Sequence, residues 1–354
     1  MRAAVFHGKQ DLRIEDVEEP TPSQGQVKVE VAYAGICGSD LHIYFNTDSP
    51  GTGVDYTQPH PLTGTELPQI PGHEISGTVV ETGPGCTRVE VGTRVAIWPI
   101  YYCGECAACA IGAHGACLKI AFHGVSSHGG GMAQYTVVDE TMVHALPDNV
   151  DLLMGALVEP MAVGWHAVDT AGVRREQSAL IVGAGPIGIG VYYALKACGV
   201  ESIIVSEPSA SRRATLAGLG VEFVVDPMAG DDLDRIVGRV TSGSGVDFAF
   251  DTAGVGAALP QAISLLKPRG SIVVVALHEQ GFDFNPVSLL WQETKMMGAR
   301  CYTHDDYANV IDAMAAGGYS AQGWVDEVSL DNSVQALQDL RSARSMKILI
   351  RPNS

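Results

Sequence analysis

A glycine-rich turn between a short apolar strand and a helix constrains the fold of this chain more than any other feature. Gly183, Gly185 and Gly188 follow the apolar run 179–182 and lead into a helical stretch that begins near Pro186. Glycines at this spacing let the backbone approach a pyrophosphate, whose charge is stabilised by unpaired N–H groups at the helix N-terminus. Glu207 stands at the end of the next strand, where a carboxylate accepts hydrogen bonds from a ribose diol and repels a 2′-phosphate. The pattern predicts a Rossmann domain that binds NAD rather than NADP.

Two further apolar runs, 245–254 and 270–277, are typical of parallel strands that are covered on both faces. The stretch between them predicts a helix that ends at Lys267-Pro268, with Gly270 starting the turn. Because ligands bind at the carboxyl ends of such strands, we expect the loops after Asp251 and Val275 to flank the nicotinamide. The residues predicted from these patterns to bind the cofactor are Gly183, Gly185, Pro186, Ile187, Gly188, Glu207, Thr252, Val275, Ala276 and Leu277.

Four cysteines lie close together, at Cys103, Cys106, Cys109 and Cys117. Thiolates at this spacing can converge on one tetrahedral ion at roughly 2.3 Å, and the glycines between them let the backbone wrap around it. A ferredoxin-type iron–sulfur run would place its fourth cysteine after three residues and beside a proline, and a redox pair needs only one C-x-x-C. The spacing therefore predicts a closed structural zinc site without an open position for catalysis. Free thiols in a loop are the alternative.

A second set of metal-ligand residue types is spread along the chain. Alternating valines in 27–31 predict a half-buried strand that runs into a turn holding Cys37. His73 and Glu74 precede another β-rich segment, and Glu159 stands before a proline, where extended backbone is favoured. One thiolate, one imidazole and one or two carboxylates can bind zinc and keep a position free for substrate. Taken singly, each residue also has an ordinary structural role, so spacing alone leaves both interpretations open.

The charge balance restricts the partners of the chain. Its 354 residues, enough for about two domains, include 22 Lys and Arg against 40 Asp and Glu, and no basic stripe interrupts the acidity. This excludes a nucleic-acid surface, because a polyanion would be repelled. The longest uncharged run, 178–195, is broken by glycines and a proline, so no membrane span is predicted. No signal-peptide pattern is present and the remaining cysteines are scattered, so we expect a reducing, cytoplasmic location and small-molecule partners.

In their order along the chain, the Cys37 turn, the segment 72–74, the four cysteines and the glycine fingerprint resemble those of the zinc-containing medium-chain dehydrogenases. Within that family the chain is most similar to the (R,R)-butanediol dehydrogenases, close to the sorbitol dehydrogenases, on the segments HPLTG (60–64), ALVEPMAVGWHAV (156–168) and CYTHDDY (301–307). The resemblance implies an α/β chain in two domains. A GroES-like, β-rich catalytic domain would span 1–157 and 297–354, with the structural zinc lobe at about 100–118, and a doubly wound Rossmann domain would span 158–296.

The resemblance also implies two zinc ions per chain, NAD as cofactor, and a homodimer or homotetramer. The ligands of the catalytic zinc would be Cys37, His73 and Glu159, with Glu74 either coordinating in turn or lying just behind. Carboxylate ligands make a harder site than a second cysteine would, and such a site tolerates a fifth ligand such as a vicinal diol. The segment 270–284 is a candidate sheet edge for pairing between subunits.

Four further residues match functional positions of the family. Ser39 matches the hydroxyl that hydrogen-bonds the substrate oxygen, and Asp40 matches the carboxylate that orients the zinc-binding histidine. His42 matches the outer member of a proton relay, with a surface histidine near the cleft mouth as the alternative. Arg212 matches an arginine that lies along the adenosine half of the cofactor.

The predicted reaction is the NAD-linked interconversion of a vicinal diol or secondary alcohol and its hydroxyketone. The first candidates are (R,R)-2,3-butanediol and acetoin, together with the reduction of diacetyl. Sorbitol, glycerol and threonine are alternative substrates on the same fold. A nucleotide-binding sensor or structural protein of this fold is the alternative outside enzymes, and a count of bound zinc separates the two, because such proteins commonly lack the inner ligands.

Overall fold

The computed structural model describes residues 1–46, 55–229, 233–278 and 281–354. They form two compact units. The first, here called the β-rich unit, comprises Met1–Glu159, Thr303–Ala316 and Trp324–Ser354. The second, here called the Rossmann unit, comprises Pro160–Tyr302 and Gly317–Gly323. A mixed β-sheet in one unit and a parallel sheet with helices in the other confirm the predicted α/β class.

The strands, numbered along the chain, are β1 (Arg2–Gly8), β2 (Asp11–Asp16), β3 (Gln26–Gly35), β4 (Glu74–Thr82), β5 (Arg94–Ile97), β6 (Ile100–Tyr101), β7 (Ala121–Phe122), β8 (Tyr135–Asp139), β9 (Val143–Ala145), β10 (Ser178–Val182), β11 (Ser202–Ser206), β12 (Phe223–Val225), β13 (Val246–Asp251), β14 (Leu266–Val274), β15 (Lys295–Gly298), β16 (Val325–Ser329) and β17 (Lys347–Arg351). The helices are α1 (Gly38–Phe45), α2 (Ala107–Ala110), α3 (Leu152–Ala171), α4 (Pro186–Ala197), α5 (Ala210–Gly218), α6 (Leu233–Val240), α7 (Ala258–Ser264), α8 (Val287–Gln292), α9 (His304–Ala315) and α10 (Ser333–Arg341). Within the described ranges, no helix has both the length and the apolar character that crossing a membrane requires.

The main sheet of the β-rich unit has the order β16-β17-β3-β4-β5-β9, and β8 also pairs with β3. The side chains of Val27, Val29 and Val31 are fully buried, which confirms the strand predicted from their alternation. β3 and β4 pair antiparallel, so that Gly35 at the end of β3 faces Glu74 at the start of β4. This approach requires glycine, because a β-carbon on residue 35 would overlap the Glu74 carboxylate. The pairing thereby places Cys37, which follows β3, beside the start of β4.

The Rossmann unit contains a six-stranded sheet of order β12-β11-β10-β13-β14-β15, and all its strand pairs are parallel. Chain order reverses between β10 and β13, which opens a crevice at their carboxyl ends. The central strands are buried on both faces, as the unalternating apolar runs predict. Fully buried examples on four neighbouring strands are Leu180, Ile204, Ala249 and Ile272.

The predicted strand, turn and helix of the glycine fingerprint are confirmed as β10 and α4. Gly183 adopts φ +97°, a conformation that residues with a side chain rarely adopt. Gly185 precedes the first helical residue, Pro186, whose fixed φ suits that position. A β-carbon on Gly188 would overlap the carbonyl oxygen of Gly183, so the helix can approach the strand only because residue 188 is glycine.

The helix predicted to end at Lys267-Pro268 ends earlier, at Ser264, and β14 already begins at Leu266. The register between β13 and β14 shifts after Val246, and Arg269 adopts φ +63° within the shifted segment. Pro268 has no N–H to donate to a sheet, so it is tolerated where the pairing is interrupted. Pro268 and Gly270 therefore mark an irregularity inside a strand, and the predicted helix end at this point is wrong.

The extended conformation predicted for Glu159 is wrong, because Glu159 and Pro160 both lie inside α3. The preference for extended backbone before proline is a local steric bias, and an interior proline costs a helix about 3 kcal/mol. The neighbouring residues are buried on all sides of the helix, and burial of the side chains of Leu157, Val158 and Met161 offsets that cost. The division between the two units falls between Glu159 and Pro160.

The segment 270–284 does not provide the edge of the sheet. β14 lies between β13 and β15, so β15 is the outermost strand. Residues 279 and 280 of this segment lie outside the described residues. β15 has only four residues, too few for a period to be visible in the sequence. Because β15 pairs with β14, it belongs to the Rossmann unit. The unit therefore extends to Tyr302, beyond the predicted boundary at residue 296.

A buried histidine gives the β-rich unit a predictable pH dependence. His123 is 1% exposed, and its ring nitrogens hydrogen-bond the hydroxyls of Thr136 at 2.6 Å, Tyr101 at 3.1 Å and Ser127 at 3.2 Å. Burial lowers the pKa of His123 from 6.5 to about 4. Because the unfolded chain binds the proton more tightly, the resulting stability is complete above pH 6.5 and is lost as the pH falls toward 4.

We therefore expect the free energy of unfolding to fall by about 2 kcal/mol between pH 6.5 and pH 5 on account of His123 alone. Urea titrations at several pH values measure this loss. His123→Gln removes this titrating group and should make the pH slope in this range shallower, with a remaining part from His144, whose pKa burial also lowers to about 4. Substitution of the exposed His128 by glutamine should leave the slope unchanged. Equal slopes in His123→Gln and the parent protein would contradict the prediction.

Candidate active site

Three predicted zinc ligands meet inside the β-rich unit. One ligand atom each of Cys37, His73 and Glu74 lies within 4.8 Å of the others. Cys37 caps the N-terminus of α1 directly after β3, while His73 and Glu74 stand at the start of β4. The antiparallel pairing of β3 with β4 brings these distant parts of the chain together. His73 is 4% exposed and Glu74 is fully buried, so these two are shielded from bulk solvent, whereas Cys37 is half-buried.

Glu159 is not part of this group of three, but it lies near enough to affect it. Its side chain on α3 is 5% exposed, and its charge contributes to raising the pKa of His73. Tyr307 of α9 is buried beside the same acids and donates a hydrogen bond to the carbonyl of Ile97 at 2.6 Å. Burial, reinforced by the charges of Glu159 and Glu74, raises the pKa of Tyr307 far above its usual range.

The buried charges around the cluster do not balance without a further positive charge. The carboxyl groups of Asp40, Glu74 and Glu159 are each at most 5% exposed, and only one lysine, Lys347, is buried with them among the described residues. Buried carboxylates need a compensating charge, because transfer of an ion out of water is costly. Although burial by itself lowers the pKa of His73, Asp40 and Cys37 outweigh it and hold that pKa well above its usual value. The pocket therefore favours a bound cation.

One polar atom points to the same conclusion. Glu74 Oε1 is buried and has no hydrogen-bond partner among the described residues, although its other oxygen is paired with Lys347. Unsatisfied buried oxygens are uncommon and call for an ion or water. Sulfur, imidazole nitrogen and carboxylate oxygen are all zinc ligands, and a set of three leaves a position open. The residues thus fit a catalytic zinc ion held by Cys37, His73 and a carboxylate.

Asp40 connects the two parts of the cluster. Its Oδ2 accepts a hydrogen bond from the backbone N–H of Cys37 at 2.8 Å, and its Oδ1 lies 3.7 Å from His73 Nδ1. A carboxylate behind a ligating histidine sets the tautomer and orientation of the ring. Burial raises the pKa of Asp40, and the charge of His73 counteracts that rise. At 3.7 Å the two side chains are in contact but not hydrogen-bonded, and His73 Nδ1 has no hydrogen-bond partner among the described residues. The orienting role of Asp40 therefore stays a prediction.

Ser39 lies in the first turn of α1, shortly after Cys37, and His42 lies in its last turn. Both side chains are half-buried. Because α1 begins next to Cys37, both residues are carried by the same helix as that ligand. Their predicted roles in proton transfer remain predictions.

Lys347 is a residue of the site that sequence patterns do not identify. It begins β17, is 1% exposed, and donates hydrogen bonds to the Ile36 carbonyl at 2.9 Å and to the Glu74 carboxylate. The ammonium compensates one buried carboxylate and fixes one of its two oxygens. The only signal in the sequence is a lysine directly before the apolar run 348–350, at a position where a buried strand would otherwise be apolar.

The four remaining ligand candidates, Cys103, Cys106, Cys109 and Cys117, form a separate group in the β-rich unit. The Sγ–Sγ distances are 3.9 Å for 103–109, 3.5 Å for 106–109, 3.9 Å for 106–117 and 3.5 Å for 117–103. A tetrahedral ion with Zn–S bonds of roughly 2.3 Å requires about 3.8 Å between sulfurs. The geometry therefore fits a closed four-thiolate zinc site.

The thiol electrostatics also fit a bound cation. Backbone N–H groups, that of Leu118 first, lower the pKa of Cys106 to about 6, whereas burial raises that of Cys109 to about 12. Cys117 Sγ accepts hydrogen bonds from the backbone N–H groups of Cys103 at 3.3 Å and Lys119 at 3.4 Å. Four thiolates at these separations repel one another, so all four can be ionised together only around a metal ion.

The Rossmann unit has a cavity of about 400 Å³ at the carboxyl ends of its strands. Among the predicted cofactor residues it is lined by Gly183, Gly185, Glu207, Arg212 and Thr252. The others do not line this cavity: Pro186, Ile187 and Gly188 form the first turn of α4, and Val275, Ala276 and Leu277 form the loop after β14.

Glu207 is oriented into the protein. It is 3% exposed, and its two carboxylate oxygens accept hydrogen bonds from the backbone N–H groups of Ala184 and Ser209, each at 2.8 Å. Arg212 Nη1 lies 3.9 Å from Glu207 Oε2. Each carboxylate oxygen keeps a second lone pair, so Glu207 can still accept from a ribose hydroxyl while it holds the glycine-rich loop.

Two family profiles match the chain. The profile described as alcohol dehydrogenase GroES-like domain matches residues 23–148, and the one described as zinc-binding dehydrogenase matches residues 186–316. The first match covers the inner cluster (Cys37, His73 and Glu74) and the four cysteines, and the second covers the glycine fingerprint from Pro186 onward. Glu159 lies outside both matches.

Full-length relatives agree with the profiles. The chain is 37% identical to an (R,R)-butanediol dehydrogenase of Bacillus subtilis (strain 168), with 100% of both chains covered. It is 30% identical to a sorbitol dehydrogenase of the same strain, covering 100% of this chain and 98% of the relative. A crystal structure of 2R,3R-butanediol dehydrogenase from Bacillus subtilis superposes with a TM-score of 0.91 at 37% identity, over 99% of each chain.

Proposed function

The chain belongs to the zinc-binding alcohol dehydrogenase family, enzymes that use zinc and NAD, and we propose that its substrate is a vicinal diol. The proposed reaction interconverts (R,R)-2,3-butanediol and acetoin, and reduces diacetyl, by hydride transfer between the substrate and NAD. The single observation that carries the substrate class is the presence of two buried carboxylates, Glu74 and Glu159, around Cys37 and His73.

Oxygen ligands favour a harder and more adaptable zinc site than a second thiolate does. A zinc ion held by three of these residues would keep room for substrate oxygen, and the site would then suit two neighbouring hydroxyl groups. A substrate with one hydroxyl would leave that capacity unused. The 37% identity with a butanediol dehydrogenase over the full chain supports the same substrate class.

In the proposed mechanism, Cys37, His73 and Glu159 hold the ion and Glu74 coordinates in turn or lies behind it. When bound, zinc supplies a Lewis acid that makes a coordinated hydroxyl group more acidic. Ser39 accepts the proton of the substrate hydroxyl and passes it to His42 or to water. Asp40 keeps the imidazole of His73 in one orientation through the contacts described above.

The nucleotide is proposed to lie along the carboxyl edge of the Rossmann sheet. The N–H groups at the start of α4 stabilise the pyrophosphate, and Glu207 and Arg212 hold the adenosine ribose. NAD, when bound, supplies the hydride acceptor at nicotinamide C4. Because Glu207 is tied to two backbone amides, it cannot turn away from a 2′-phosphate without leaving both unpaired, which favours NAD over NADP.

Steady-state kinetics with a substrate panel tests the proposal. We expect kcat/KM for (R,R)-2,3-butanediol with NAD to exceed that for sorbitol, glycerol and L-threonine by about tenfold or more, because buried polar groups discriminate strongly between hydroxyl patterns. The meso and (S,S) isomers serve as matched controls, with NADP run in parallel. A preference for sorbitol would contradict the proposed substrate and indicate a polyol dehydrogenase. A preference for L-threonine would contradict the diol proposal and indicate an amino-alcohol substrate.

We also propose that the chain is a homodimer or homotetramer in the cytoplasm. Among the described strands, β15 is the outermost on one edge of the Rossmann sheet, and Leu290 and Trp291 of α8 are 68% and 79% exposed. Unpaired edges and exposed apolar side chains are normally covered, and a second copy of the chain covers both. No disulfide joins any of the described cysteines, as is usual in a reducing compartment. A monomer in sedimentation equilibrium would contradict the subunit proposal, and recovery outside the cytoplasmic fraction would contradict the location.

A further inference from the structure

A buried carboxylate and a histidine form a pair at the carboxyl edge of the Rossmann sheet. His278 Nε2 donates a hydrogen bond to Asp251 Oδ2 at 2.6 Å. Asp251 is the last residue of β13 and is 1% exposed, and His278 lies in the loop after β14, with its side chain 16% exposed. Neither the glycine fingerprint nor the metal-ligand residues include this pair. Sequence patterns do not identify it, because a single histidine in a loop has no characteristic spacing.

Asp251 also holds the two loops of this edge in place. Its Oδ1 accepts hydrogen bonds from the backbone N–H groups of Ala253 at 3.2 Å and Gly254 at 3.1 Å. Its carbonyl oxygen accepts from the N–H groups of Val275 and Ala276, both at 3.0 Å. The imidazole of His278 therefore hydrogen-bonds a carboxylate that is itself fixed by backbone contacts.

The position of the pair in the sheet indicates which half of the dinucleotide it faces. In an open parallel sheet the two halves of a dinucleotide lie on opposite sides of the point where strand order reverses. That point lies between β10 and β13, and Glu207, the proposed ribose acceptor, follows β11 on one side. Asp251 ends β13 and His278 follows β14, both on the other side. This is the nicotinamide half.

One atom of the pair has no partner. His278 Nδ1 is buried and makes no hydrogen bond with any described residue. Because Asp251 accepts the proton on Nε2, Nδ1 of the neutral ring carries a lone pair and acts as an acceptor. A buried acceptor without a donor is costly, so its presence at a ligand-binding edge points to a donor on the ligand.

We propose that His278 is a cofactor-binding residue whose Nδ1 accepts a hydrogen bond from the nicotinamide nucleoside of NAD, with Asp251 as the residue that positions the ring. The donor is a hydroxyl of the nicotinamide ribose or the N–H of the carboxamide, which are the hydrogen-bond donors of that half. The inference rests on NAD binding by the Rossmann unit and is independent of the proposed diol substrate.

Ligand binding to His278→Gln tests the proposal, because glutamine keeps an N–H donor toward Asp251 but has no acceptor at the Nδ1 position. Isothermal titration with NADH, ADP-ribose and ADP compares ligands that contain both proposed donors, the ribose alone, or neither. We expect His278→Gln to bind NADH about fivefold more weakly than the parent protein, with ADP unchanged. A loss that also appears with ADP-ribose identifies the ribose hydroxyl as donor, and a loss with NADH alone identifies the carboxamide.

Two variants separate binding from a purely structural role. His278→Phe removes both ring nitrogens, and His166→Gln on α3 is a matched control that should bind all three ligands normally. If His278→Gln binds NADH as the parent protein does while His278→Phe does not, the ring only supports Asp251 and the proposal is overturned. An equal loss for NADH and ADP in His278→Gln overturns it as well.

Imidazole ¹⁵N spectra of the parent protein give a readout that does not depend on the folding of a variant. NADH should shift the Nδ1 resonance of His278, and ADP should not. No shift with saturating NADH would overturn the proposal even if every variant proved unstable. Both measurements use binding rather than turnover, so failure of the diol proposal leaves this test intact.

Discussion

Serine in place of Cys37 is expected to reduce NAD-linked alcohol oxidation by about a thousandfold or more. Cys37 is the only thiol in the inner cluster, and without it His73 and the carboxylates hold the ion weakly. Loss of the Lewis acid removes several kcal/mol of transition-state stabilisation, and about 4 kcal/mol corresponds to a thousandfold in rate. The measurements are kcat/KM with (R,R)-2,3-butanediol and zinc per chain, which should fall from two to one.

NADH affinity should be unchanged in Cys37→Ser, because the proposed nucleotide residues all belong to the Rossmann unit. Cys86→Ser is the matched control. Cys86 is also a half-buried thiol of the β-rich unit, but it hydrogen-bonds only the carbonyl of Gln26 among the contacts described, at 3.2 Å. Normal turnover by Cys37→Ser with two bound zinc ions would exclude Cys37 as a catalytic ligand.

The second large effect is expected in the four-cysteine lobe, on stability rather than on chemistry. None of the four residues of α2 is more than half-buried, and Ile111 and Leu118 are each 81% exposed. Because the segment buries so little apolar surface, we expect its folding to depend on a bound metal ion. Cys106→Ser should therefore lose one zinc ion and lower the midpoint of thermal unfolding by roughly 10 °C.

Limited proteolysis locates that effect, because the segment 100–118 should become the first cleavage site in Cys106→Ser. Cys198→Ser, which alters an exposed thiol of the Rossmann unit, should keep both zinc ions, the parental midpoint and the parental cleavage pattern. Retention of two zinc ions together with an unchanged midpoint in Cys106→Ser would show that the thiols do not hold a structural ion.

The parts of this protein that could be predicted from sequence are those whose contacts are local. The glycine fingerprint places a strand, a turn and a helix within a few residues of Gly183, and backbone sterics alone require that geometry. The four cysteines lie within one short loop, so their convergence follows from chain connectivity. The alternation of valines in β3 predicts which face of that strand is buried.

Local reasoning was wrong where packing outweighs a local preference. The bias before Pro160 favours extended backbone, but the apolar run around Glu159 is buried as a helix. Pro268 and Gly270 resemble a helix end, but they interrupt a strand that continues to Val274. In both cases the free energy of burial across the fold exceeds a steric preference of a few kcal/mol.

The sequence by itself determined the α/β class, the glycine-rich turn, the four-thiol lobe and the residue types needed for a metal site. Only the tertiary structure decided which of those residues meet. Pairing of β3 with β4 brings Cys37 to His73 and Glu74, and β17 delivers Lys347 to a carboxylate 273 residues away in the chain. The physical reason is that the charge balance of a buried site depends on every element packed around it, and no stretch of sequence records which distant element will supply the compensating charge.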